Sequence, residues 1–340
     1  MSWKDEDYPS VNQVRQVLPE GSTEPDTAQS LGYLSVSVLG TAACTAAGIG
    51  ALPILNPANP LTWPLWSAYA AVTGTVAMGL WVLAHECGHG AFSKNKKLQD
   101  AVGYTLHTLF LVPYFSWQRS HAVHHQYTNN IELGETHVPE LATEEDQGSL
   151  DSRRGFLDKL GEEKGTVAWG VWQSFLHLVT GWPAYLLIGA TGGKDRGMTN
   201  HYYPEPLQPE DDPVELFPGA FKEKVYQSDI GIAAVVAGII TWSICHGPAE
   251  MMAIYGGPYL VVNAWLVLYT WYVCANIVLM LVMMMMRTCF FPISGCFFFL
   301  LSSSLVIRHV PSYTHSRRFL FHCHMFCSPP PPPTCIYIYT

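Results

Sequence analysis

Four stretches of the chain are apolar with almost no charge, and the first two run for the length of a bilayer. Leu31 to Leu55 and Leu61 to Ala84 contain no Asp, Glu, Lys or Arg. Each is long enough for a helix that crosses the hydrocarbon core, which takes about 20 residues. The link Asn56-Pro57-Ala58-Asn59-Pro60 is short and carries no Lys or Arg, so the hairpin tip is expected to face away from the cytosol. Asp229 to His246 and Gly257 to Trp271 form a second apolar pair, and their connection holds Glu250 but no basic residue. The pattern predicts an all-α membrane protein with about four transmembrane helices in two hairpins, residues 31–271 forming the membrane domain.

The segments between the hairpins read as one cytosolic side. Lys94-Asn95-Lys96-Lys97 is a positive-inside marker. Ala101 to Phe115 is apolar but too short to span, so it is expected to be interfacial or re-entrant. Residues 140–164 are charged and read as a cytosolic surface. Thr166 to Ala190 is hydrophobic enough to cross, yet Lys159 and Lys164 precede it and Lys194, Arg196, Lys222 and Lys224 follow it. Both flanks therefore fall on one side, and the Gly181-Trp182-Pro183 break with Trp169, Trp172 and Trp182 suits an interfacial helix. Residues 1–30 are polar and read as a cytosolic lead-in without a signal-peptide pattern. Ser10 there could cap a short helix carrying Val11, Val14 and Leu18, and a loosely ordered tail fits equally well.

Composition agrees with the membrane reading. Hydrophobic residues make up 49% of the 340 and charged residues 13%, against about 25% charge in soluble domains. A net charge of -9 without a basic patch excludes a nucleic-acid partner. Of nine cysteines, Cys44, Cys87 and Cys245 are far apart and the rest lie beyond Trp271, which gives no disulfide framework.

The candidate chemistry lies just past the second apolar run. His85-Glu86-Cys87-Gly88-His89 is followed by His121-Ala122-Val123-His124-His125. On a helix, residues four apart share a face, and so do residues three apart. His85 and His89 can therefore grip one metal region, while His121, His124 and His125 offer three more nitrogens. The first cluster also satisfies HExxH, in which two histidines bind zinc and the Glu is the general base. An intramembrane zinc protease is thus an alternative. Five imidazoles exceed one tetrahedral zinc and suit part of a di-iron site that activates oxygen. Glu86 and Cys87 point to other helix faces and are read as supporting residues. His107, His137, His177, His201 and His246 are read as packed structural histidines, with His137 the one near the second cluster.

These motifs resemble the membrane acyl-lipid fatty acid desaturases of the Δ12 (oleate) type. His85 to Ser93 is similar to the family's first histidine box. Leu111-Val112-Pro113-Tyr114-Phe115-Ser116-Trp117 and His121 to His125 are similar to the approach to the second box and the box itself. Glu135-Thr136-His137-Val138-Pro139, Gly181 to Leu186, His201-Tyr202-Tyr203, Ser228 to Gly231 and Tyr255 to Trp271 extend the likeness. The resemblance implies two iron ions held by His85, His89, His121, His124 and His125, with no separate catalytic residue. It implies oxygen as co-substrate and two electrons from a donor such as cytochrome b5 or ferredoxin. The substrate would be a lipid-linked acyl chain that gains a cis double bond. The enzyme would be integral to the endoplasmic reticulum membrane, in preference to a plastid, with the boxes on the cytosolic side, and an oligomer is compatible. Glu at 86 rather than Asp points to Δ12 over ω-3 activity, and relatives with similar boxes hydroxylate or epoxidise.

The family's third box, HxxHH, has no counterpart after Trp271. The tail holds only His309, His315, His322 and His324, in other spacings. Residues 272–340 contain no Asp or Glu, a run of four methionines at Met283 to Met286 and a proline run at Pro329 to Pro333. They are expected to be foreign sequence, intron-derived or frame-shifted. If instead they are native, the chain is expected to be inactive as written, a non-catalytic truncated isoform.

Overall fold

The computed structural model describes residues 24–128, 130–138, 147–192, 198–207 and 215–272, with a few isolated positions before them. The expectations for the helix after Ser10 and for the tail from 273 onward lie outside the described residues.

The described chain is helical, its only extended pairing an isolated bridge between Asn200 and Tyr203. Helix α1 (Thr27–Ala51) starts where Asp26 accepts hydrogen bonds from the amides of Ala28 and Gln29, at 3.0 and 3.1 Å. Such a cap satisfies amides that have no partner inside the helix. A short 3-10 turn (Pro60–Thr62) leads into α2 (Trp63–His89). Helix α3 (Lys96–Leu109) is capped by Asn95, and α4 (Tyr114–Gln126) carries the second histidine cluster. Helices α5 (Gln147–Leu160) and α6 (Glu162–Ile188) pack on each other. Helix α7 (Phe221–His246) is followed by the four-residue α8 (Pro248–Met251), a π-helical turn (Met252–Gly256) and α9 (Gly257–Tyr272).

Among the described residues, four helical stretches are long and apolar enough to cross a membrane: Thr27–Ala51, Pro60–His89, Phe221–His246 and Pro248–Thr270. The protein is an all-α membrane protein. Helix α6 is not among the four: it falls short on apolarity, whereas the sequence reads as hydrophobic enough to cross and is set aside on its flanking charges. Its Gly181-Trp182-Pro183 stretch is no break, however, because the helix runs through Pro183 to Ile188.

Helix α2 is the centre of the bundle, packed against α1, α3 and α9. Between spanning helices the apolar driving force is weak, so close packing of small residues holds them together. Gly74 shows how close: a Cβ there would stand 2.6 Å from Val261 Cβ and 2.7 Å from the Pro258 carbonyl. Trp265 Nε1 donates to Thr75 Oγ1 at 3.0 Å across the same seam. Further along, Trp81 meets Trp117 and Trp182 edge-on, with ring centroids 5.8 and 5.7 Å apart. Such edge-to-face pairs stabilise by about 0.5–1.5 kcal/mol each beyond burial. This aromatic wall ties α2, α4 and α6 together directly below the first histidines.

The turn between α3 and α4 aims the second cluster at the first. Leu111 takes a left-handed φ of 54°, unusual for a residue with a side chain. Tyr202 Oη donates to its carbonyl at 2.5 Å and Tyr255 Oη donates to Leu109 O at 2.8 Å, so the carbonyls at the turn are satisfied from segments distant in sequence. Ser228 of α7 accepts from the Phe115 amide at 3.0 Å and caps the start of α4. The Ser228-Asp229-Ile230-Gly231 stretch thus supplies a cap to the helix that carries the histidines.

Candidate metal centre

Helix α2 continues past Ala84 and carries His85 and His89 on its final turn. Gly88 does not loosen it. A Cβ on Gly88 would lie 2.7 Å from the Trp117 ring, so the missing side chain is the space that the indole fills. The helix ends at Gly90, whose φ of 81° lies in the left-handed region that glycine adopts without strain. The Gly90 amide bonds to Cys87 O at 3.2 Å and the Ala91 amide to Glu86 O at 3.0 Å. This paired closure is the Schellman motif, and it fixes the backbone at His89.

Four imidazoles converge across the α2–α4 contact. The Nε2 atoms of His85 and His121 are 2.9 Å apart, those of His89 and His121 3.1 Å, and those of His121 and His125 3.0 Å. His89 Nε2 is 3.3 Å from His85 Nε2. One nitrogen from each of the four lies within 4.8 Å of the others. Two nitrogens on one metal at about 2.0–2.1 Å stand roughly 2.9–3.4 Å apart for bond angles between octahedral and tetrahedral, so the spacing fits a shared cation.

The surroundings favour that use. His85 Nδ1 lies 3.2 Å from Glu86 Oε1. A carboxylate there holds the proton on Nδ1 and leaves Nε2 as a lone pair facing the cluster. Trp117 stacks on His121 with centroids 4.4 Å apart and planes 19° from parallel, fixing that ring. Burial holds the His121 imidazole well below its ordinary pKa, with the neighbouring imidazoles adding to the effect. Burial and then His124 bring His125 down to about 4. Neutral imidazole is the form that binds a metal.

Of the five histidines singled out from the sequence, the structure brings together His85, His89, His121 and His125. His124 faces elsewhere: its ring centroid is 6.0 Å from that of His121 and 5.7 Å from that of His125. Its Nδ1 lies 3.2 Å from the Thr136 carbonyl. The reason is the helical angle. At about 100° per residue, position 125 falls roughly 40° to one side of 121 and position 124 roughly 60° to the other.

Residues read as structural surround the cluster. His107 is fully buried between Trp81, Tyr114 and Trp117. His201 Nε2 lies 2.9 Å from Ser120 Oγ, which is itself 3.2 Å from Tyr185 Oη. Arg119, two positions before His121, pairs with Glu135 through both guanidinium nitrogens, the second at 3.1 Å. Arg119 and Glu135 carry no spacing signal in the sequence, since only the fold brings residue 135 back to α4. Cys87 is buried in the core beside Ala84 and Phe92 and takes no place among the converging nitrogens.

Comparison with known proteins places this geometry. A profile of the family described as "Fatty acid desaturase" matches residues 61–303. The chain belongs to the fatty acid desaturase family. The match runs past Trp271, where the motifs legible by eye end. The chain is 30% identical over 262 residues to the Delta(12)-fatty-acid desaturase of Arabidopsis thaliana, covering 77% of this chain and 63% of that one. It is 36% identical over 213 residues to the Delta(12)-fatty-acid desaturase of Vernicia fordii, covering 63% and 50%. It is 33% identical over 288 residues to the oleate hydroxylase of Claviceps purpurea, covering 77% and 56%. The chain thus spans less than two thirds of the length of these relatives. The zinc-protease reading of HExxH is not favoured by this family membership, and Glu86 is turned onto His85 Nδ1 as an orienting partner.

Proposed function

We propose that this chain carries the membrane core of a Δ12-type acyl-lipid desaturase. The reaction removes one hydrogen from each of two adjacent methylenes of a lipid-linked acyl chain. It balances as R–CH2–CH2–R′ plus O2, two electrons and two protons, giving R–CH=CH–R′ and two waters. The observation that carries the reading is the convergence of four Nε2 atoms at the end of a membrane-crossing helix, in a chain of this family.

Two histidine-bound irons would supply oxygen activation, the usual route to an unactivated C–H bond. His85, His89, His121 and His125 would hold one, and His124 would serve the other. The rest of the work belongs to the protein's own residues. Glu86 sets the tautomer of His85, Trp117 locks the plane of His121, and the wall of Trp81, Trp117 and Trp182 keeps water from the membrane side of the imidazoles. Lys94, Lys96 and Lys97 follow the first cluster and support a cytosolic position for this end, where a donor such as cytochrome b5 or ferredoxin could deliver electrons. The endoplasmic reticulum is the membrane favoured, two relatives being named for it.

The test expresses this chain in yeast, beside a chimera whose residues from 272 onward come from the Arabidopsis relative. Fatty acids are then profiled. Linoleate from the chimera is the expected result, with little or none from the chain carrying residues 272–340 as they stand. Unchanged oleate in both contradicts the desaturase reading. Hydroxylated oleate would select the alternative that the Claviceps relative suggests.

A further inference from the structure

The loop after α4 returns a sixth imidazole to the site. His137 belongs to neither histidine cluster, yet its ring lies against that of His124, with centroids 4.8 Å apart. In the four-histidine cluster, centroid separations of 4.5, 4.7 and 4.9 Å accompany Nε2 separations of 2.9 to 3.3 Å. The His124 and His137 rings lie within that range of separations.

The surroundings leave nitrogens free for that role. His124 Nδ1 is taken by the Thr136 carbonyl, which directs Nε2 to be its ligand atom. His137 Nδ1 is buried without a hydrogen-bond partner, on a ring packed between His124 and Tyr185. An unpartnered buried nitrogen costs about 1–3 kcal/mol, a cost that a bound cation would remove. The backbone is also held in place against its preference. His137 has a φ of 53°, in the left-handed region that a β-substituted residue rarely enters. Two anchors hold it there. Glu135 pairs with Arg119 on the histidine helix itself, and the Val138 amide bonds to Thr191 O at 2.9 Å.

We propose that His137 is a metal ligand, joining His124 to hold a second ion beside the one at His85, His89, His121 and His125. This rests on the metal-centre reading above. It assigns the loop at 130–138 a direct part in the site, where a packing role would ask only for a ring of similar shape.

The test measures iron per chain on the full-length protein in detergent, together with its Mössbauer spectrum. His137→Phe keeps a ring against His124 and Tyr185 and removes the nitrogens. The variant is expected to lose about one ion relative to the parent chain and to retain the ion at the four-histidine cluster. Unchanged iron and an unchanged spectrum overturn the proposal and leave the four-histidine reading standing. A parent chain without iron overturns both. His137→Gly guards against a misfolded variant, since glycine adopts φ near 53° without strain. Added imidazole should restore its missing ion, and benzene of similar shape should not. Equal recovery with benzene shows a packing role and overturns the proposal.

Discussion

Trp117 occupies the space that a side chain on Gly88 would need. The indole approaches to 2.7 Å of the position a Cβ would take, and its face lies on His121. One contact thus sets how closely the two histidine helices approach and how one of the imidazoles is turned. Gly88→Ala should force α2 and α4 apart. Overpacking of this kind costs about 1–3 kcal/mol. The expected outcome is a lower melting temperature in detergent together with weaker metal binding, read by thermal denaturation and elemental analysis.

Glu86 acts on the metal through His85. Replacing a carboxylate that orients a metal-bound histidine usually weakens metal affinity about 10–100-fold. Glu86→Gln keeps the size and loses the charge. Competition with a chelator should show weaker metal retention, while the melting temperature of the metal-free protein stays near that of the parent.

The Arg119–Glu135 pair is nearly buried, with side chains 14% and 9% exposed. Removing one partner of such a pair leaves an uncompensated charge and costs about 3–5 kcal/mol. Glu135→Ala should therefore lower the melting temperature strongly. Breaking the exposed Lys94–Glu24 pair should leave it unchanged. Equal effects of the two changes would show that the 130–138 loop is not anchored through Arg119.

His201 gives the fold an acid limit. Burial pushes its imidazole down to about 3, against an ordinary value near 6.5. Between these values the unfolded chain binds a proton that the folded chain does not, so stability is full above about pH 6.5 and falls as pH drops toward 3. One such group contributes at most about 1.4 kcal/mol per pH unit. The measurement compares melting temperatures at pH 7.5 and pH 5. The expected result is a fall at pH 5 that is smaller in His201→Gln, which has no imidazole to protonate.

Much of this was legible in the chain and some was not, for physical reasons. Uninterrupted apolar runs marked the spanning helices because a bilayer demands length and apolarity together. The i, i+4 spacing of His85 with His89 and of His121 with His125 marked the cluster because that spacing is one face of a helix. Pro183 was misleading: it reads as a break, but the structure carries α6 through it. The tolerance of Gly88 depends on Trp117, and the return of His137 depends on Glu135 and Thr191, partners that no local pattern announces.

X-ray absorption at the iron edge of the purified chain tests the central claim most directly. That claim is that His85, His89, His121 and His125 bind one metal through their Nε2 atoms. The predicted spectrum includes imidazole multiple scattering from about four nitrogens at this iron, and that contribution is lost in the double variant His89→Ala with His121→Ala, leaving only the scattering of an iron held at His124. Iron lacking imidazole scattering, or a spectrum unchanged in that double variant, would contradict it.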